Sequence, residues 1–133
     1  MAAFTDAQTD AINAQGGSVL VSAAAGSGKT TVLIERIIRM ITRRENPIDV
    51  DRLLIVTFTR AAASEMKERL AKAINLLLEN DPYNSLLLRQ RQLMYNTSIC
   101  TIDSFCGSVV REYFHILGVQ KDFRLADENE IKV

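Results

Sequence analysis

The stretch Ala23-Ala24-Ala25-Gly26-Ser27-Gly28-Lys29-Thr30, followed by Thr31, gathers small side chains, one ammonium and several hydroxyls. Ala23, four residues, then Gly28-Lys29-Thr30 fits the phosphate-loop pattern, with alanine at the first position where glycine is the stricter form. Several main-chain N–H groups can converge on a polyphosphate only where side chains are small enough for the backbone to curl and approach. Gly26, Ser27 and Gly28 meet that demand. A helix opening at Lys29 points the positive end of its dipole at the phosphates. Lys29 then places a point charge between the β- and γ-phosphates, and the Thr30 hydroxyl holds Mg²⁺. The expected seat of a nucleoside triphosphate is Ala23 to Thr31, with Lys29 and Thr30 closest to the chemistry. The plain alternative is a small-residue loop packed tightly between two elements, with Lys29 solvated.

Those residues need a strand before them and a helix after. Ser18-Val19-Leu20-Val21 is a short apolar run bounded by small residues, which suits a buried strand. Beyond the loop, Val32, Leu33, Ile37 and Ile41 recur at helical spacing, and Asn46-Pro47 ends the helix. Leu53 to Val56 reads as a second strand, buried on both faces as central parallel strands are. A helix is predicted from Arg60 to about Leu78. Its inward stripe is Ala62, Met66, Leu70, Ile74 and Leu77, and its acid-first pairs are Glu65 with Arg69 and Glu68 with Lys72. Asp81-Pro82-Tyr83-Asn84 is a turn, Ser85 to Tyr95 a helix, and Ser98 to Thr101 a third strand. Asp103 or Ser104 then caps a helix reaching about Leu117, before Gly118. The order βαβ(α)βα predicts an α/β fold, a parallel sheet with helices on both faces. The tail from Val119 to Val133 has no clear period.

Four segments carry a further signal: Phe4-Thr-Asp-Ala-Gln8-Thr-Asp-Ala-Ile12, Val21 to Thr30, Ile55-Val-Thr-Phe-Thr-Arg-Ala-Ala-Ala-Ser-Glu-Met66 and Thr101-Ile-Asp-Ser-Phe-Cys106. In order and spacing they resemble successive motifs of UvrD/Rep-type superfamily 1 DNA helicases. With Phe123-Arg-Leu-Ala-Asp127 downstream, they are most similar to the N-terminal part of the AddA family, helicase–nucleases of bacterial double-strand-break repair. The resemblance covers almost the whole chain. It implies the P-loop NTPase (RecA-like) fold, with residues 1–133 forming an incomplete N-terminal part of motor domain 1A and 120–133 an irregular tail.

The resemblance implies ATP as the nucleotide, with Mg²⁺, and Gln8 as the reader of the adenine edge, for which an amide both donates and accepts. Thr5-x-x-Gln8 is equally a capping box, in which Gln8 bonds back to Thr5. The resemblance also turns Thr57, Phe58 and Thr59 toward single-stranded DNA, hydroxyls on phosphate and the Phe58 ring near a sugar or base. Phe58 read on its own is an ordinary core aromatic. Thr101 and Ser104 are carried over as DNA contacts too. The chain departs from the family pattern twice. Arg60 stands where asparagine is usual, and guanidinium still grips a phosphate as a charge. Asp103 stands where histidine is usual; a carboxylate repels phosphate, so Asp103 is assigned to helix capping.

Sixteen basic side chains balance sixteen acidic ones, so the net charge is zero. A histone-like coat or polybasic membrane anchor needs a large basic excess and is excluded; any nucleic-acid contact is local. Two cysteines, Cys100 and Cys106, suit buried reduced thiols better than a disulfide framework. No run approaches the ~18 residues a membrane helix needs, and the start lacks a basic signal region, so a cytoplasmic protein is expected.

Hydrolysis needs more than a phosphate cradle. An acidic pair after an apolar strand must organise Mg²⁺ and water, and arginines must neutralise the transition state. Asp127-Glu128 does not follow such a strand, and His115 suits half-buried packing better than a catalytic base. By family analogy the acidic pair, the arginines and a nuclease domain are expected beyond Val133, so this chain alone should bind nucleotide weakly and hydrolyse almost none. The expected partners are single-stranded or duplex-end DNA and a second helicase–nuclease subunit, with no membrane. The competing readings are a P-loop nucleotide or small-molecule kinase and a non-catalytic nucleotide-binding interaction fragment.

Overall fold

The computed structural model describes residues 4–120 and 122–124; the Asp127-Glu128 pair and most of the expected tail lie outside them. Six helices and two strands follow in the order α1 (Asp6–Asn13), α2 (Lys29–Thr42), β1 (Leu54–Thr57), α3 (Arg60–Asn80), α4 (Ser85–Leu93), β2 (Ser98–Thr101), α5 (Ile102–Glu112) and α6 (Phe114–Leu117). Short 3₁₀ turns at Val50–Arg52 and Met94–Asn96 lead toward the two strands. The strands pair in parallel, Leu54 beside Ser98 through Thr57 beside Thr101.

The expected first strand does not form. A strand is a property of a ladder, and among the described residues Ser18 to Val21 has no strand partner, the sheet consisting of β1 and β2 alone. Leu20 is 94% exposed, the opposite of a buried strand residue. The sheet is also covered differently than expected. Along β1 only Ile55 is buried, while Leu54 and Val56 stay open, because the core lies on one side.

That core joins Ile37 and Ile41 of α2, Val50, Ile55, and Met66, Leu70, Ile74 and Leu78 of α3 to Leu87 and Met94. Full burial of such a side chain is worth about 1.5–3 kcal/mol. The stripe on α3 runs one residue off the expected one at its ends, burying Ala63 and Leu78 rather than Ala62 and Leu77. The Glu65–Arg69 pair forms at 2.5 Å; Glu68 and Lys72 make no ion pair among the described residues. One polar group enters the core. Gln90, fully buried, accepts from the Val50 N–H at 2.9 Å and donates to Asp49 Oδ1 at 3.3 Å. Beside it, Arg89 grips both carboxylate oxygens of Asp49 at 3.0 and 2.7 Å. The Arg89 hydrogen bond and charge hold the Asp49 carboxyl below its ordinary value, a weaker desolvation acting the other way.

The late helix splits at Tyr113 into α5 and α6, and Gly118 closes α6 at φ +66°. His115 is exposed rather than half-buried, its ring edge-on to Phe114 at 5.6 Å. Cys106 is exposed and Cys100 half-buried, both free thiols; the expected burial fails for Cys106 because α5 turns it outward.

Candidate nucleotide site and carboxyl-edge pocket

Gly26 and Gly28 both adopt left-handed backbone, φ +77° and +80°, which a side chain would strain. Between them Ser27 donates its N–H to the Ala24 carbonyl at 3.3 Å, curling the loop before α2. Gly28 is the N-cap of α2 and brings no capping side chain, so the first-turn amides of Lys29, Thr30 and Thr31 stay uncovered at an exposed end. Lys29 folds back over the loop, its Nζ donating to the Ala23 and Ala24 carbonyls at 2.7 Å each. The third ammonium hydrogen remains. A cavity of about 110 Å³ opens beside this bend, lined among others by Gln8, Ala23, Ser27 and Lys29.

Gln8 takes both roles that the sequence left open. Its Oε1 accepts from the Thr5 N–H at 2.9 Å while its own N–H donates to Thr5 Oγ1 at 3.3 Å, a complete capping box on α1. Its Nε2 also donates to the Ser27 carbonyl at 3.1 Å, so the amide reaches the loop as well. A Cβ on Gly28 would meet that Nε2 at 3.5 Å. Arg36 of α2 holds the other end of α1, donating to the Ala11 and Ile12 carbonyls at 2.7 and 3.3 Å.

At the carboxyl ends of β1 and β2, two helices begin side by side. Thr57 Oγ1 donates to the Thr59 carbonyl at 2.9 Å, and Thr59 Oγ1 caps α3 by accepting from Ala62 at 3.1 Å. Phe58 is left outside both ladder and helix and is 90% exposed, so it is not a core aromatic. On the neighbouring strand Thr101 is both the last strand residue and the cap of α5, accepting from the Ser104 N–H at 3.1 Å and donating to Ser104 Oγ at 2.8 Å. The cap expected at Asp103 or Ser104 therefore belongs to Thr101, because the chain enters the helix directly from the strand. Asp103 sits in the first turn of α5 instead, favourable to the dipole. Phe58, Arg60, Thr101, Asp103, Ser104, Gly107 and Arg111 line one cavity of about 350 Å³.

The loop with Gln8 and this pocket are thus two separate groupings, and the expected nucleotide and DNA residues divide between them. Thr57 and Thr59 shape the turn behind Phe58 rather than lining the pocket. Gly107 and Arg111 were not singled out in the sequence. A glycine inside an amphipathic helix followed by a basic residue four positions on was the available signal.

Residues 4–133 match the model of the UvrD/REP helicase N-terminal domain. The chain belongs to the UvrD/REP helicase family. It is 53% identical over 128 residues to the AddA protein of Anoxybacillus flavithermus, an ATP-dependent helicase/nuclease; the match takes in 96% of this chain and 11% of that protein. Proteins of the same name from Clostridium perfringens and Clostridium novyi are 51% and 54% identical, over 98% and 96% of this chain. The chain thus spans about a tenth of the length of these relatives, matching their N-terminal region as the motifs implied. Among the described residues no helix is long and apolar enough to cross a membrane.

Proposed function

We propose that this chain is the ATP-binding part of an ATP-dependent DNA helicase of the AddA helicase–nuclease kind, acting in double-strand-break repair and recombination. On this reading residues 1–133 are the N-terminal part of a RecA-like motor domain. Ala23 to Thr31 seat the triphosphate, and Gln8 reads adenine. Thr57, Phe58, Thr59, Arg60, Thr101 and Ser104 serve the DNA strand. The partners are single-stranded or duplex-end DNA and a second helicase–nuclease subunit.

The observation that carries the reading is the bend before α2, with its uncapped amides and a lysine folded over two neutral carbonyls. The donor set fits a polyanion: an ammonium, left-handed glycines that keep side chains away, and free amides at a helix start. Lys29 exchanges carbonyl acceptors for anionic oxygens, and charge-assisted bonds are roughly twice as strong as neutral ones. Thr30, in the first turn of α2, would hold Mg²⁺, which supplies charge neutralisation for phosphoryl transfer. Strand separation follows from closure against a second domain, which turns γ-phosphate contacts into stepping. Family membership leaves the kinase alternative without support.

Nucleotide titration calorimetry on this chain tests the reading. Lys29→Ala should weaken ATP binding by about 1.5–3 kcal/mol, a tenfold or greater loss. Gln8→Ala should erase preference for ATP over GTP. Unchanged ATP affinity in Lys29→Ala would overturn the proposal.

A further inference from the structure

We infer that Arg111 is a phosphate contact of the carboxyl-edge pocket, gripping a phosphodiester of single-stranded nucleic acid whose base rests on Phe58. The inference rests on the proposed reading of that pocket as a DNA site and adds a residue to which no role is otherwise assigned.

Ser104, Gly107 and Arg111 recur at i, i+3 and i+7 on α5, so they share one helix face, and all three line the cavity with Phe58. Glycine inside a helix costs about 1 kcal/mol against alanine, and here its bareness has a use. A Cβ on Gly107 would meet Arg111 Nη1 at 3.5 Å, so the guanidinium lies over the naked turn. The Phe123 ring holds it from another side, 5.2 Å from centroid to Cζ. A long side chain fixed by such packing has already given up much of its rotamer freedom.

Its charge is uncommitted. Arg39, Arg69 and Arg89 are each paired with a carboxylate, whereas among the described residues Arg111 has no ion-pair partner. A planar fork of N–H donors without a carboxylate is suited to phosphate. Asp103 also lines the cavity, eight residues earlier on α5 and so about 12 Å away along the axis. It repels an anion from the strand end of the pocket and leaves the outer end, beside Arg111, favoured.

Binding of the chain to fluorescent oligo(dT), followed by anisotropy across a salt series, tests this. Arg111→Gln keeps the stem over Gly107 and removes the charge. It should weaken binding about three- to tenfold at low salt and lower the slope of log affinity against log salt by about 0.7, one phosphate contact. Arg111→Lys should restore the slope. Phe58→Ala should weaken binding with the slope unchanged, because stacking releases no counterions. Loss of affinity in Arg111→Gln without a slope change makes the role structural and overturns the inference. Arg111→Gln indistinguishable from wild type, with Phe58→Ala still weakened, overturns it while the pocket's reading survives. No oligo(dT) binding by the wild type, or none sensitive to either residue, removes both.

Discussion

The start of α2 and the starts of α3 and α5 solve the same problem in opposite ways. Every helix leaves its first amides without partners inside the helix. At α3 and α5 a threonine hydroxyl takes one of them, and α1 and α4 are likewise capped by Thr5 and Asn84. Among the described helices of eight or more residues, α2 alone opens on a glycine with no capping side chain. The difference assigns two modes of recognition. The α2 end presents main-chain donors to a ligand, while the carboxyl-edge pocket, whose helix ends are closed off internally, has side chains to offer: a ring, hydroxyls and guanidinium groups.

Making the ends alike should have the largest effect. Gly28→Thr grafts the cap of its neighbours onto α2 at φ +80°, where a side chain costs about 1–2 kcal/mol. Its hydroxyl competes for the amides and its Cβ crowds Gln8 Nε2. Calorimetry should show ATP affinity falling at least tenfold; retained affinity would break the contrast between the two kinds of helix start. Removing caps should do the reverse. Thr101→Ala and Thr59→Ala should each lower stability by about 0.5–2 kcal/mol in urea melts, Thr101 more because its hydroxyl is buried and engaged twice. ATP affinity should change in neither.

The smallest effect belongs to an ion pair at neither end. Arg89 lowers the folded-state pKa of Asp49 below its ordinary 3.8, so the pair stabilises the fold above that pH and ceases to as pH falls through the folded-state value. Arg89→Ala should therefore shift the urea midpoint slightly at pH 6 and not at all in stronger acid. A midpoint difference that persisted in acid would assign the effect to packing instead.

What the sequence made legible follows from how local each feature is. Helix α3 carries twenty-one residues of consistent periodicity, and its span is predicted almost to the residue. Strand β2 is recovered whole because Asn96 and a capping threonine bound it. Ser18 to Val21 failed because pairing depends on a neighbour that four apolar residues cannot specify. The cap of α5 was misplaced since Thr101 serves two elements at once, and a linear pattern gives each residue one role. The phosphate loop was readable from spacing alone, yet Gln90 and Arg111 were not. Their meaning lies in partners forty and twelve residues away along the chain, Val50 and Phe123.

Gln8 is tied at both ends of its amide, to Thr5 through oxygen and to Ser27 through nitrogen. An amide oxygen has a second lone pair and the nitrogen a second hydrogen, so a base edge can be met without either tether being released. The side chain that senses identity is thereby already aimed, and any displacement of Ser27 by a phosphate tugs directly on it. Headgroup and tail of the same ligand would be felt as one event, by a lever one hydrogen bond long.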